Sequence, residues 1–211
     1  MRTLAVLVTA GVFLFLLTPP GPRHLDARGW DDLAARTVPG AYHVHSTRSD
    51  GHADRAAIAA AGAQIAHSPS SNLFLGSGLF GWRAAEAAGI HISLASDVGG
   101  GTSLSLLRNM ADAYKIQALA GERLTAWTAL HAATSGAAKA LGLEDEIGSL
   151  DVGCAADVCV WDGAVGTVAT RRAAVARTLH ERLFAWMTLA DERNLVQAFV
   201  AGRAHYDRDG A

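Results

Sequence analysis

Residues 65–102 constrain the fold more than any other stretch. They read IAHSPSSNLFLGSGLF, then a short helix-like run, then IHISLASDVGGGTS. Two apolar runs, 64–66 and 90–95, each lead to a side chain able to bind a metal or move a proton. His67 ends the first, and Asp97 stands just past the second. Loop chemistry follows at once, Ser68-Pro69-Ser70-Ser71-Asn72 after one run and Gly99-Gly100-Gly101 after the other. Between them, 84–88 reads as helix and Gly89 as its C-terminal cap. Strand, helix, strand, with polar residues at the strand ends, is the arrangement from which an α/β barrel builds its site.

The chain beyond this stretch continues the alternation. Residues 103–119 read as a helix, with Leu104, Leu107, Ala111, Tyr114 and Ala118 as one apolar stripe and Gly121 as its stop. Thr125 is placed to N-cap a second helix running to Leu141, with Trp127, Leu130 and Ala137 on its face and Gly142 closing it. Asp151-Val152-Gly153 reads as a turn and 157–161 as a strand, Val158 and Val160 facing one way, Cys159 and Trp161 the other. Residues 179–189 read as a helix with Leu183, Trp186 and Met187 on its apolar side, and 195–206 as a hairpin about Gly202-Arg203. His91 reads as structural, His131 as structural or solvent-facing, and Arg83 and Arg108 as solvated helix residues.

Half of the 211 residues are hydrophobic and 18% are charged, which excludes disorder for most of the chain. A net charge of −2 argues against nucleic-acid binding. Cys154 and Cys159 are too few for a disulfide framework and read as buried thiols. A complete (β/α)8 barrel needs about 250 residues, more than this chain has.

The N-terminus has a different character. Arg2 precedes an apolar run over 4–17, and Thr18-Pro19-Pro20-Gly21-Pro22 ends it. The pattern fits a signal peptide or short membrane anchor over 1–22, with membrane contact through 4–17. The plainer alternative is a buried hydrophobic helix, because the run is shorter than the roughly 20 residues of a spanning helix. Further on, alternation along a strand puts His43 and His45 on one face, where two imidazoles can share a metal ion. The fixed positions His43, His45, Ser46, Ser49, Asp50 and Gly51 resemble the HxHSxxSDG opening of the PHP family of metal-dependent phosphoesterases. That resemblance covers about twenty residues of a segment taken as 23–60.

The longer resemblance begins near Ala61. The segments AHSPSSNLFLGSG, SDVGGGTS, LRNMADAYKIQAL, GSLDVGCAADVCVWD and ERLFAWMTLADERN, in this order and spacing, resemble the C-terminal part of the guanine deaminases of the amidohydrolase superfamily. It extends to about Tyr206. The resemblance implies an α/β fold: an incomplete (β/α) barrel of the amidohydrolase type over 61–145, with part of the accompanying small β domain over 146–211. It implies a zinc hydrolase with one ion, acting on cyclic amidine C–N bonds and converting guanine and water to xanthine and ammonia. It also implies guanine or a related purine as ligand, a homodimer, and a cytoplasmic location, against the secreted or anchored alternative that the N-terminus suggests.

Carried over by position, Asp97 matches the family's metal-binding, proton-accepting aspartate, and His67 matches a histidine that lines the substrate site. Asp157 takes a structural role. The family's HxxE segment and the metal histidine after it have no counterpart, so the resemblance implies a truncated deaminase, impaired on its own. Two alternatives remain beside it: a fragment of a PHP-like phosphoesterase, and a non-catalytic module that pairs with intact deaminase subunits. The two resemblances meet near 54–63 without a linker, the pattern of a fusion, a truncation or a chimera. If the N-terminal segment docks as a first strand, His43, His45 and Asp97 converge on one metal. Each residue has a plainer reading too: Asp97 as the cap of the helix near Ser103, His67 as a satisfied core histidine, and His43 and His45 as an exposed strand.

Overall fold

The computed structural model describes residues 55–210. Here α1 (Arg55–Ala60) leads into β1 (Ile65–His67), α2 (Pro69–Leu75), α3 (Trp82–Ala87), β2 (Ile92–Leu94) and α4 (Leu106–Leu119). Next come α5 (Ala126–Ala133), α6 (Ser135–Ala140), β3 (Val158–Trp161), α7 (Thr167–Val175) and α8 (Leu179–Leu189). A 3-10 turn (Glu192–Asn194) then opens the hairpin of β4 (Leu195–Val200) and β5 (Arg203–Asp207).

β1 and β2 pair in parallel, Ile65 opposite Ile92 and His67 opposite Leu94. Parallel strands need a crossover, and α2 with α3 supplies it. Gly89 turns the chain from α3 into β2: its φ is +76°, its amide donates to Glu86 O, and the Ile90 amide donates to Ala85 O. These paired bonds close the helix as a Schellman-type cap, which the left-handed glycine permits. This βαβ unit is of the kind from which a (β/α) barrel is built. Among the described residues the barrel does not close, and the second sheet is antiparallel with order β3-β4-β5.

The core lies between β2 and the helices. Ile92, Leu94, Leu107, Met110, Leu124 and Met187 are buried in it. Where α5 enters this core its contact positions are Ala126, Ala129 and Ala132, each at most 1% exposed. α8 is fixed at its start by a capping box: Thr178 accepts from the Glu181 amide, and the Glu181 carboxylate accepts from the Thr178 and Arg177 amides. Those two amides hold the Glu181 carboxyl below its ordinary pKa.

Several expectations give way. Ser68-Pro69-Ser70-Ser71-Asn72 is not a loop, because Pro69 opens α2 in the first turn, where its missing N–H is harmless. α4 begins only after Ser105, which leaves Leu104 outside the helix and 79% exposed. Its buried stripe is Leu107, Met110, Ala113 and Ile116 rather than the row ending at Ala118. The expected single helix to Leu141 is two, broken at Thr134 (φ −128°, ψ −107°), whose hydroxyl donates to Leu130 O. Gly136 follows because a Cβ there would stand 2.7 Å from His131 O. Trp127 turns outward, since the alanines of α5 take the contact face. In β3 a register shift between Val160 and Trp161 interrupts the alternation. Cys159 is exposed and Cys154 half-buried, so neither is a buried thiol. The turn of the hairpin falls on Ala201-Gly202, one residue earlier than expected, and Asp157 accepts from the Ala201 amide to hold it.

Gln117 joins α4 to the α2–α3 connection. It is 1% exposed; its Nε2 donates to Phe80 O (2.8 Å), and its Oε1 accepts from the Trp82 amide (3.3 Å). Both backbone groups would lose their partner without it, and an orphaned buried polar group costs about 1–3 kcal/mol. Gln117→Leu should therefore lower stability by about 2–4 kcal/mol in urea unfolding. A loss within about 0.5 kcal/mol, the usual range for surface changes, would show the link to be idle.

Candidate functional site at the ends of the parallel strands

Pairing of β1 with β2 continues one residue past the strands, where the Ala95 amide donates to His67 O (2.9 Å). His67 and the start of the loop carrying Asp97 therefore leave the sheet side by side. His67 is 2% exposed. Phe80 stacks on its imidazole at 4.4 Å between centroids, and Trp82 meets it edge-on at 6.1 Å. Burial among these rings pushes the His67 pKa down to about 3, so the imidazole is neutral at physiological pH. Its Nε2 is buried without a hydrogen-bond partner. His67 is thus a core histidine, but not a satisfied one. Unpaired buried groups are rare in folded proteins, and functional sites are one place where they persist.

Asp97 lies on a tight loop. Its φ of +46° is left-handed, a region that Asp tolerates better than most residues but that still carries strain. The Gly101 amide donates to Asp97 O at 2.5 Å. A Cβ on Gly101 would fall 1.9 Å from Ser96 O, so only glycine closes this turn. Asp97 itself is exposed at the loop surface. It does not cap α4, whose N-cap is Ser105, with the Ser105 amide bound by the Ser103 hydroxyl. From α2, buried Ser71 approaches the same loop, as both Ser71 Oγ and Asp97 Oδ2 flank Gly100.

The other histidines on these elements have structural partners. His91 Nε2 lies 2.7 Å from Gly136 O, and His131 Nδ1 lies 2.9 Å from Ser135 Oγ. Among the described residues no group of three His, Cys, Asp or Glu side chains is gathered as a metal site. His43 and His45, the PHP-like segment around them and the apolar run 4–17 lie outside the described residues. Within the described residues no helix is long and apolar enough to cross a membrane. A groove of about 480 Å³ is lined by Trp82, Arg83, Glu86, Gln117, Glu122 and Thr125, and neither His67 nor Asp97 reaches it.

Phe80, Trp82, Ser71 and Gln117 were not singled out as site residues. The aromatic pair around Gly81 and a lone amide in the apolar face of a helix are the signals that carried them.

A buried neutral histidine makes stability depend on pH. The unfolded imidazole takes a proton near pH 6.5, and the folded one only near pH 3. The unfolded state binds more protons between those values, so this contribution is complete above about pH 6.5 and is lost as pH falls toward 3, at up to roughly 1.4 kcal/mol per pH unit. Unfolding free energy measured at pH 7.5 and pH 5 should fall on acidification in the wild type and fall distinctly less in His67→Leu. Equal falls in both would remove His67 as the cause.

Residues 33–204 match the amidohydrolase family, a span that takes in 43–51, the positions that carried the PHP-like resemblance. The chain is 39% identical to the guanine deaminase of Escherichia coli over 145 residues, 69% of this chain and 33% of that protein. It is 33% identical to a probable guanine deaminase of Deinococcus radiodurans over 194 residues, 90% of this chain and 43% of that protein. The solved E. coli guanine deaminase superposes with a TM-score of 0.72 at 34% identity, covering 79% of this chain and 38% of that one. A Xanthomonas campestris adenosine deaminase solved with bound zinc superposes with a TM-score of 0.61 at 27% identity, covering 71% of this chain and 33% of that one. The chain thus spans between a third and a half of the length of these relatives. With most of its residues matched, from Leu33 to Ala204, the chain belongs to the amidohydrolase family.

Proposed function

We infer that this chain carries the last strand–helix units of a zinc-dependent aminopurine deaminase, with guanine as substrate, water as co-substrate, and xanthine and ammonia as products. The observation that carries the reading is the pair of strand ends, with neutral His67 closing β1 and Asp97 on the tight loop just after the neighbouring parallel β2. The 39% identity to a guanine deaminase over 145 residues supports the choice of substrate.

The residues suit a divalent metal by their chemistry. Asp97 is an exposed carboxylate on the loop that follows β2, a hard oxygen donor of the type that zinc accepts beside imidazole nitrogen. His43 and His45 are the imidazoles that would complete the set. Bound zinc supplies Lewis-acid charge that activates water at neutral pH. The chain's own residues do the rest. Asp97 accepts the proton that the attacking water gives up. His67, kept neutral by burial, has one unpaired ring nitrogen, Nε2, for a hydrogen bond with a purine ring heteroatom or exocyclic group. Phe80 and Trp82 keep water away from that imidazole, which strengthens the bond.

A second reading takes the chain as a module that associates with intact deaminase subunits as part of a homodimer-like assembly. It is favoured by β3 and β5, which form the two edges of their sheet among the described residues.

The full chain, purified with zinc, should bind about one ion and release ammonia from guanine. Asp97→Ala should lower zinc affinity by at least about 100-fold, since it removes a direct ligand, a larger loss than the 10–100-fold typical of outer-shell residues. Equal zinc content in wild type and Asp97→Ala would overturn the metal assignment. Zinc binding without ammonia release, joined to co-elution with a full-length deaminase, would favour the second reading.

A further inference from the structure

The net charge of the chain is small, but its charges are separated along the sequence. Between Ala140 and Gly166 stand Glu144, Asp145, Glu146, Asp151, Asp157 and Asp162, with no Lys or Arg. Residues 167–182 then hold Arg171, Arg172, Arg177 and Arg182 against one carboxylate, Glu181. The basic set lies on α7, α8 and the turn between them. Arg171, Arg177 and Arg182 are exposed, and Arg172 is half-buried. Glu181 is taken up by the capping box of α8, where its carboxylate accepts from the Arg177 and Thr178 amides. None of the four guanidinium groups has an ion-pair partner among the described residues. On the same two helices Val175 is 65% exposed and Leu179 67%.

Most of the acidic set sits on one loop, 143–155, which folds back on itself. The Ala155 amide donates to Glu146 O at 2.7 Å, and the Ile147 amide to Leu143 O at 2.9 Å. Gly148, at φ +88°, seats this loop against α6, since a Cβ there would stand 2.6 Å from Ala138 Cβ. Held in this way, the loop exposes the side chains of Glu144, Asp145, Glu146 and Asp151. It also exposes two apolar ones, Leu150 (78%) and Val152 (fully).

We propose that α7 and α8 form a docking surface for a second copy of this chain. The copy's 143–155 loop sets its carboxylates against Arg171, Arg172, Arg177 and Arg182, and Leu150 and Val152 against Val175 and Leu179. Exposed apolar surface rimmed by polar groups marks an interaction site, and opposite potentials select the partner and fix its register. The page offers one surface of the opposite pattern, and it belongs to the same molecule. Among the described residues no ion pair joins the two surfaces within one chain, so each is free for a neighbour. The contact joins unlike surfaces, and every copy carries one of each. It is independent of the metal reading and uses neither the β3 nor the β5 edge.

Sedimentation velocity of the full chain tests this. Self-association is expected at about 50 mM NaCl and should weaken at least about 10-fold by about 500 mM, because salt screens the charge contacts. Arg171→Glu with Arg177→Glu should weaken it at least about 10-fold, and so should Glu144→Lys with Asp145→Lys, since each places like charges together. Mixed in equal amounts, the two reversed variants should associate again, because the unaltered loop of the first meets the unaltered helices of the second. A chain that stays monomeric at low salt overturns the proposal, and binding of that monomer to vesicles of anionic lipid would assign the basic surface to a membrane instead. Association that ignores both salt and the reversals, as pairing through sheet edges would, also overturns it. So does a failure of the two variants to recover on mixing while each unfolds at the wild-type temperature. Should a reversed variant not fold, Arg171→Gln with Arg177→Gln takes its place, and unchanged association there overturns the docking surface.

Discussion

Everything at the candidate site follows from one parallel pairing. β1 and β2 are only three residues each, yet their register puts His67 opposite Leu94 and lets the backbone pair once more at Ala95. A slip by one residue would turn each side chain to the other face of the sheet. His67 would then leave its aromatic enclosure, and the loop after β2 would point Asp97 elsewhere. The pair is too short to hold its register unaided. The crossover helices and α4 hold it, through the buried apolar residues of β2 and the Gln117 link to the Phe80–Trp82 segment.

The parts of the fold that were legible in the sequence are those governed by local rules. The strand ending at His67, the helix before Gly89 and the α8 segment (Leu179–Leu189) follow from apolar runs bounded by stop residues. The Thr125 cap is of the same kind, as a short hydroxyl side chain finds the amide of Thr128 three residues on. What was not legible depends on tertiary contact. The break at Thr134 needs the carbonyl of Leu130 and the close approach at Gly136. The outward turn of Trp127 follows from an α5 face already occupied by alanines. The register shift along β3 arises in β4, where Val196 is the extra residue between the partners of Trp161 and Val160.

The candidate site divides in the same way. His67 and Asp97 stand out because each ends an apolar run, a one-dimensional signal. Ser71 and Gln117 do not, since a serine in a polar stretch and a glutamine in a helix are commonplace until their neighbours are known. Ser71 meets the loop after β2 only at Gly100, and Gln117 meets backbone groups on another element. Contacts of this kind between elements are specified by geometry that no local spacing encodes.

The alanines of α5 have a further consequence. Ala126, Ala129 and Ala132 are fully buried, so the face that α5 turns to the core carries only methyl groups there. Small seams of this type gain little from desolvation at any one position and depend on closeness along their whole length. They also leave no room for growth. Changes of shape in this interior are absorbed more easily by larger buried residues such as Met110 and Met187, whose side chains are flexible.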